Sequence, residues 1–291
     1  MKPAGFSYRR VETPEEAIAA LVELGEEAKL IAGGLSLVPM MNFRLARPEA
    51  LVDISRLDQL RYVRADDNGC LRIGALARHR DLERLAAPGT PGGFSVLPQA
   101  ARHIGHYAIR AAGTFGGSLA HADPASEWCM IARLLDGEIT VLGPEGERTL
   151  AAADLFKGFL ETALRPDEMI VEVRLHGFEH ASLKEMCRRQ GDFAVVAAAV
   201  ALRTADGRCS DARVVLGGVA GSVLRMSSAE SALVGEPFSD EAFAAAAAAA
   251  AGQIDPAADL QGPPEYRRHL AGVLVRRALV EAAGDRSAWE S

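Results

Sequence analysis

The chain has 291 residues, 49% of them hydrophobic, and a formal net charge of -7 at pH 7. These values predict a globular protein with two or three subdomains, and the acidic balance without any basic run argues against a nucleic-acid-binding surface. No apolar stretch is long enough to span a bilayer, and the first residues lack the apolar core of a signal peptide. We therefore expect a cytoplasmic protein.

The first unit of the fold is expected over residues 1–55, as a right-handed βαβ arrangement. A helix links its first two strands, with Thr13 as cap, Pro14 at the first position and Glu16 completing a capping box. The predicted strands lie at residues 6–11, 29–32 and 51–54.

An uncharged stretch with two adjacent glycines follows the second of these strands. It reads Ala32-Gly33-Gly34-Leu35-Ser36-Leu37-Val38-Pro39. Ser36 is expected to cap the short helix that comes next. Because glycine adopts backbone angles closed to other residues, this loop can turn several N–H groups toward one point, which makes a neutral cradle for an anion such as pyrophosphate. For one Gly-Gly pair alone, an ordinary strand-to-helix turn is the simpler interpretation.

A larger mixed α/β part is expected over residues 56–176. Its predicted elements are strands at residues 71–75, 139–142 and 170–175, helices at 80–85, 97–104 and 123–135, and a Pro- and Gly-rich loop at 88–93. A second uncharged glycine cluster, Gly113-Thr114-Phe115-Gly116-Gly117-Ser118, precedes the last of these helices. Asp123 is expected to cap that helix, with Pro124 in its first turn.

The composition changes after Gly177, where we place a domain boundary. Residues 194–202 and 214–219 are nearly continuous apolar runs, which favour buried strands although length alone does not exclude a helix. The remainder is rich in alanine. The run of eight alanines that follows Phe243 and the segment from Tyr266 to Ala283 predict helices.

Several chemistries are disfavoured by what the sequence lacks. The four cysteines have no Cys-x-x-Cys spacing, so we expect free thiols and no iron–sulfur cluster held by this chain. His103 and His106 lack neighbouring carboxylates or cysteines, so a metal site there is not expected. No pair of acid and base residues stands out, and we assign no catalytic residue.

Two uncharged glycine loops, each followed by a helix with Ser or Asp at its start, are stronger evidence than one. Together they could clasp the pyrophosphate of a dinucleotide from both sides. Neither loop has the Gly-x-Gly-x-x-Gly spacing of the Rossmann fold. A flavin or nicotinamide site of another kind is therefore expected.

Both loops resemble those of the FAD-binding medium subunit of the molybdenum hydroxylases, the xanthine dehydrogenase family. The greatest similarity is to the aerobic carbon monoxide dehydrogenases. The second loop continues the resemblance through Ala120-His121-Ala122-Asp123-Pro124. Further matches are Arg165-Pro166-Asp167-Glu168, Arg188-Arg189-Gln190-Gly191-Asp192-Phe193, Leu216-Gly217-Gly218-Val219 and Glu265-Tyr266-Arg267-Arg268. The resemblance covers essentially the whole chain, in order.

The resemblance implies an α+β fold with a two-part FAD-binding domain. Its parts would be the small βαβ unit of residues 1–55 and the larger mixed subdomain of residues 56–176. An antiparallel sheet with a helical bundle, over residues 177–291, would close over the flavin. The family works with two further chains, a small one with two [2Fe–2S] clusters and a large one with molybdenum. The resemblance thus implies a dimer of heterotrimers.

Carried over motif by motif, the resemblance also implies which residues hold FAD. The pyrophosphate would lie between the two loops, at Ala32, Gly33, Gly34, Leu35, Ser36 and Leu37 on one side and Thr114, Gly116, Gly117 and Ser118 on the other. The other implied contacts are Ile104, Asp123, Glu127, Ile170, Lys184 and Phe193.

Some of these positions depart from the family pattern or have a second interpretation. Ser118 stands where the family often has Asn, and Glu127 where it usually has Asp, so their contacts with FAD differ in reach. Asp123 is as well explained by helix capping. Lys184 on its own would be a solvated lysine, and Phe193 a core residue.

The function implied is electron transfer from the partner's [2Fe–2S] clusters through FAD to a quinone, oxygen or another acceptor. A stand-alone flavin oxidase and a non-catalytic binding module are the alternatives. The sequence leaves carbon monoxide, N-heterocycles and aldehydes open as substrates of the whole complex, because the substrate pocket would lie in another chain.

Overall fold

Four β-sheets and the helices that cover them make up residues 2–85 and 93–284, the part of the chain that a computed structural model describes. The loop expected at residues 88–93 and the chain after Gly284 fall, except for Gly93, outside the described residues. No helix in the described part is long and apolar enough to cross a membrane.

The first unit is a three-stranded parallel sheet with its third strand in the middle. Its elements are β1 (Ser7–Arg10), α1 (Pro14–Leu24), β2 (Ala28–Ile31), α2 (Leu37–Asn42) and β3 (Ala50–Asp53). The Thr13 hydroxyl accepts a hydrogen bond from the Glu16 backbone N–H at 3.1 Å, so Thr13 caps α1 as predicted. The Glu16 carboxylate accepts from the N–H of Glu12 rather than Thr13, which shifts the capping box by one residue.

The second part is built on a five-stranded antiparallel sheet. Its strands are β4 (Val63–Ala65), β5 (Leu71–Gly74), β6 (Glu138–Gly143), β7 (Gly146–Ala151), the short pair β8 (Phe156–Gly158) and β9 (Glu161–Thr162), and β10 (Met169–Leu175). The order of the strands in the five-stranded sheet is β4-β5-β10-β6-β7. Its helices are α3 (His79–Glu83), α4 (Val96–His103), α5 (Tyr107–Ala112), α6 (Phe115–His121), α7 (Glu127–Leu134) and α8 (Ala152–Leu155). The fully buried Trp128 and Phe115 join the helices to this sheet.

Three local predictions for the loops are wrong. Gly116 and Gly117 do not form a loop but the first turn of α6, which Thr114 caps by accepting the Gly117 N–H at 3.1 Å. Asp123 does not cap α7, because its carboxylate accepts from Ala125 in a turn that ends before the helix begins. Ser36 is already helical in its backbone angles and makes no capping bond to α2.

The last part is a four-stranded antiparallel sheet covered by three helices. Its elements are β11 (His180–Met186), β12 (Val196–Ala205), β13 (Arg208–Gly217), β14 (Leu224–Arg225), α9 (Ser227–Leu233), α10 (Asp240–Gln253) and α11 (Pro264–Ala283). Alternate residues of β12 face opposite cores: Ala197, Ala199 and Ala201 pack against the second part, while Val196, Ala198, Val200 and Leu202 pack against the helices. Burial on both faces explains why the run is continuously apolar. The predicted α+β fold is confirmed.

Candidate functional site

A cavity of about 490 Å³ opens between the first unit and the second part. The two uncharged glycine-containing stretches meet there, and we call residues 32–39 the first glycine segment and residues 113–118 the second. It brings together eleven of the sequence-predicted residues, namely Ala32, Gly33, Gly34, Leu35, Ser36, Leu37, Thr114, Gly116, Gly117, Ser118 and Ile170. The chain between β9 and β10 closes one side of it. The two segments that share no sequence proximity therefore share one cavity.

The first glycine segment lines the cavity with unpaired backbone donors. The N–H groups of residues 32–37 donate to no residue of the described chain. Gly34 has a φ of 73°, the left-handed conformation that favours glycine and that turns the chain from β2 into α2. A run of free N–H groups along a concave turn is a binding site for an anion.

The second glycine segment differs, because its N–H groups are already used inside the protein. Those of Phe115 and Gly116 donate to Ala77 and Ala75, each at 2.9 Å. Those of Gly117 and Ser118 donate to Thr114, to its hydroxyl and its carbonyl oxygen. What this segment offers to the cavity are hydroxyl groups, those of Thr114 and Ser118.

The glycines of the two segments are also required by how the segments pack. A Cβ added to Gly33 would lie 2.8 Å from the carbonyl carbon of Ala112 and nearer still to its oxygen. A Cβ on Gly116 would lie 2.7 Å from the Cβ of Ala75. Gly33 thus allows the first segment to touch the backbone that leads into the second, and the two walls of the cavity are in direct contact.

His79 is a buried polar residue of the cavity wall that sequence reasoning missed. It is 4% exposed, and its Nδ1 accepts a hydrogen bond from the indole N–H of Trp128 at 2.8 Å. Burial, with a smaller contribution from Arg110, lowers the pKa of His79 to about 4. Its backbone N–H also holds Gly113 in place, at 3.1 Å from the carbonyl oxygen. The residues around His79 in the sequence give no pattern that could have singled it out.

Five predicted residues lie outside the cavity lining, namely Ile104, Asp123, Glu127, Lys184 and Phe193. Ile104 ends α4 and Asp123 lies in the turn before α7. Lys184, on β11, forms an ion pair with Glu281 of α11. Phe193 is 58% exposed, so the interpretation of it as a core residue is wrong.

Glu127 belongs to a small group of buried acids between the second part and the last sheet. Burial, and secondly the charge of Glu185, raise the pKa of Glu127 to about 8. One carboxylate oxygen of Glu185 lies 3.0 Å from Nδ1 of His103, while the other is buried without a partner in the described chain. An orphaned buried acceptor of this kind suits a ligand that brings a hydroxyl or N–H donor.

The cysteines are free in the structure, with Cys70, Cys129 and Cys209 buried and Cys187 half-buried. Within residues 2–85 and 93–284, no group of three or more His, Cys, Asp or Glu side chains is arranged to hold a metal ion.

Comparison with known proteins identifies the family. Residues 4–175 match the FAD binding domain in molybdopterin dehydrogenase, and residues 181–282 match the CO dehydrogenase flavoprotein C-terminal domain. The chain is an FAD-binding subunit of this dehydrogenase family. Among its relatives are the carbon monoxide dehydrogenase medium chain of Hydrogenophaga pseudoflava, 36% identical over 96% of this chain and 97% of the relative. Another is the 6-hydroxypseudooxynicotine dehydrogenase complex subunit alpha of Paenarthrobacter nicotinovorans, 37% identical over 97% of this chain and 96% of the relative.

Solved structures agree with this assignment. This FAD-binding subunit superposes on a chain of the Hydrogenophaga pseudoflava carbon monoxide dehydrogenase with a TM-score of 0.93 and 37% identity, covering 97% of this chain and 99% of the other. It superposes on a chain of quinoline 2-oxidoreductase from Pseudomonas putida 86 with a TM-score of 0.91 and 34% identity, covering 97% and 98%. The family resemblance predicted from the two glycine segments is confirmed.

Proposed function

We propose that this subunit is the electron-transfer member of a cytoplasmic molybdenum hydroxylase complex, and that FAD binds in the cavity between its two glycine segments. The observation that carries this proposal is the row of unpaired N–H groups at residues 32–37. Because no charged side chain stands in that row, the groups match a pyrophosphate through hydrogen bonds alone.

The second wall of the cavity also fits FAD. It carries the hydroxyl groups of Thr114 and Ser118, so the pyrophosphate would have donors on both sides. Ile104, Asp123, Glu127, Ile170, Lys184 and Phe193 remain candidates for the rest of the cofactor.

The chemistry that FAD supplies when bound is to collect single electrons from the [2Fe–2S] clusters of a partner chain and pass them as pairs to an external acceptor. The subunit itself binds and orients the cofactor and sets its electrostatic surroundings. A small iron–sulfur subunit and a large molybdenum subunit would complete the complex, as a dimer of heterotrimers. Its substrate would be carbon monoxide, an N-heterocycle or an aldehyde.

The content of cofactor gives the first test. The purified chain should release non-covalent FAD on acid precipitation, identified by chromatography. A colourless chain that also fails to take up added FAD would contradict the proposal that this chain binds FAD.

The second test separates electron transfer from a stand-alone flavin oxidase. We expect carbon monoxide, N-heterocycles or aldehydes to bleach the flavin absorbance of the isolated chain only poorly. In the complex with both partner chains, the substrate of the complex should bleach that absorbance. If the isolated chain oxidised such a substrate at the rate of the complex, the electron-transfer proposal would be wrong and the chain would be a stand-alone flavin oxidase. The chain mixed with only one partner is the matched control.

A further inference from the structure

His79 begins α3 directly against the second glycine segment. Its backbone N–H donates to Gly113, and its side chain lines the cavity beside the same glycine. A Cβ at Gly113 would lie 2.8 Å from Cδ2 of His79 and closer to Nε2. The imidazole edge that carries Nε2 is therefore packed onto the cavity wall, where only a glycine leaves room for it.

The hydrogen bond with Trp128 shows which ring nitrogen of His79 carries the hydrogen. The indole N–H of Trp128 is a donor only, so Nδ1 of His79 must accept the 2.8 Å hydrogen bond that joins them. Burial, with a smaller contribution from Arg110 on α5, lowers the pKa of His79 to about 4 and so keeps the ring neutral at physiological pH. A neutral ring whose Nδ1 accepts carries its hydrogen on Nε2.

The Nε2–H group has no acceptor in the described part of the chain. His79 lines the cavity, so this donor is available to a ligand bound there. The hydrogen bond from Trp128 holds this tautomer, and the cavity that His79 lines is also lined by residues 32–37 with their free N–H groups.

We propose that His79 is a binding residue for FAD, donating from Nε2–H to a phosphate oxygen of the cofactor. The proposal rests on the proposed function, since it takes FAD as the ligand. A donor of this kind adds a hydrogen bond without adding a charge. The bond is therefore insensitive to pH across the physiological range, unlike one from a histidine that titrates there.

Nitrogen NMR on the wild-type chain is the direct test, since it depends on no variant. With ¹⁵N-labelled histidine, we expect His79 to be the neutral Nε2–H tautomer from about pH 5.5 to 8, and its Nε2 and Hε2 resonances to shift when FAD is added. Riboflavin, which has no phosphate, should leave these resonances in place. An Nδ1–H tautomer, or resonances that FAD does not move, would overturn the proposal.

Variants measure what the donor contributes. His79→Phe should weaken FAD binding by roughly tenfold, the loss of one hydrogen bond to a charged group. His79→Gln, whose amide nitrogen reaches to about the place of Nε2, should regain part of that loss. Trp128→Phe keeps an aromatic ring but frees Nδ1, so the tautomer is no longer held and affinity should fall by roughly two- to threefold.

The outcomes distinguish this inference from the proposed function. Failure of the wild-type chain to bind FAD overturns the proposed function. Wild-type binding with unchanged affinity in His79→Phe and His79→Gln overturns the role of His79 alone. Should His79→Phe fail to fold, the wild-type NMR spectra and Trp128→Phe still decide the matter.

Discussion

Gly33 lies at the point where the two walls of the cavity touch. An alanine there would meet the Ala112 carbonyl, so Gly33→Ala must push the segments apart. We expect FAD affinity to fall at least ~10-fold and the free energy of unfolding of the cofactor-free chain to fall by about 1–3 kcal/mol. Titration with FAD and urea unfolding measure the two effects.

Gly252 provides the matched control for this change. It lies in α10 with no atom within 4 Å of an added Cβ. Because alanine is the better helix former, Gly252→Ala should leave FAD affinity unchanged and stabilise the chain by up to ~1 kcal/mol. Equal behaviour of the two variants would show that Gly33 has no special packing role.

Because of Glu127, the free energy of unfolding should fall as the pH rises from mildly acidic to neutral values. The pKa of Glu127 is raised from the ordinary 4.5 to about 8, so the folded chain binds a proton that the unfolded chain releases between these values. The free energy of unfolding therefore falls as pH rises through this window. In the cofactor-free Glu127→Gln variant, urea unfolding at about pH 5 and pH 8 should show a smaller fall than in wild type. Identical falls would show that Glu127 is charged in the folded chain.

The glycines illustrate how far the sequence could predict single residues of the site. It indicates both glycine segments from their lack of charge, and assigns their glycines to the pyrophosphate. It does not show that Gly33 also contacts Ala112, because that contact joins residues 79 positions apart. His79 has no sequence signal at all, since its role depends on Trp128 and Gly113, which only the fold brings beside it.

Arg267 joins three elements of the last part. It is 5% exposed, and its guanidinium donates to the carbonyl oxygens of Val195 and Gly218 and pairs with Asp259. Gly218 in turn donates from its N–H to Pro124, in the turn before α7, at 3.0 Å. Arg267 thereby fastens α11 to strand ends that contact the FAD-binding part.

Replacement of Arg267 should therefore be costly. Arg267→Met removes the donor to the carbonyl oxygens of Val195, which is buried, and Gly218, which is half-buried, and we expect the free energy of unfolding to fall by roughly 2–4 kcal/mol. The neighbouring Arg268 pairs with the exposed Asp255, so Arg268→Met should cost no more than about 1 kcal/mol. Urea unfolding compares the two, and a similar loss in both would contradict the anchoring role of Arg267.

Elements were predicted best where burial imposes a clear pattern. Residues 194–202 are identified as a buried strand because β12 is covered on both faces. The start of α7 was misplaced, since Asp-Pro is also a typical turn and the local sequence does not distinguish the two uses. The adjacent glycines of the second cluster predict a loop, whereas in the structure Gly116 packs against Ala75 within the first turn of α6.

At the scale of the whole molecule, the parts are not independent. The core of the second part includes Leu183 from β11, Val215 from β13 and three alanines of β12. A fragment ending at residue 176 would expose the surface that these side chains cover. We expect the fragment to aggregate or to remain partly folded, as seen by circular dichroism and sedimentation. A monomeric fragment with a cooperative unfolding transition would show that the boundary at Gly177 separates autonomous domains.

The contact between Gly33 and the backbone at Ala112 has a consequence for binding kinetics. Because the two cavity walls touch at Gly33 and Ala112, each wall holds the other in the position that lines the cavity. Little conformational entropy is then lost on association, and such preorganisation contributes directly to affinity. We expect flavin uptake to follow a single exponential phase whose rate rises linearly with FAD concentration, without the plateau that a slow closing step would impose. Stopped-flow fluorescence of the flavin would record it.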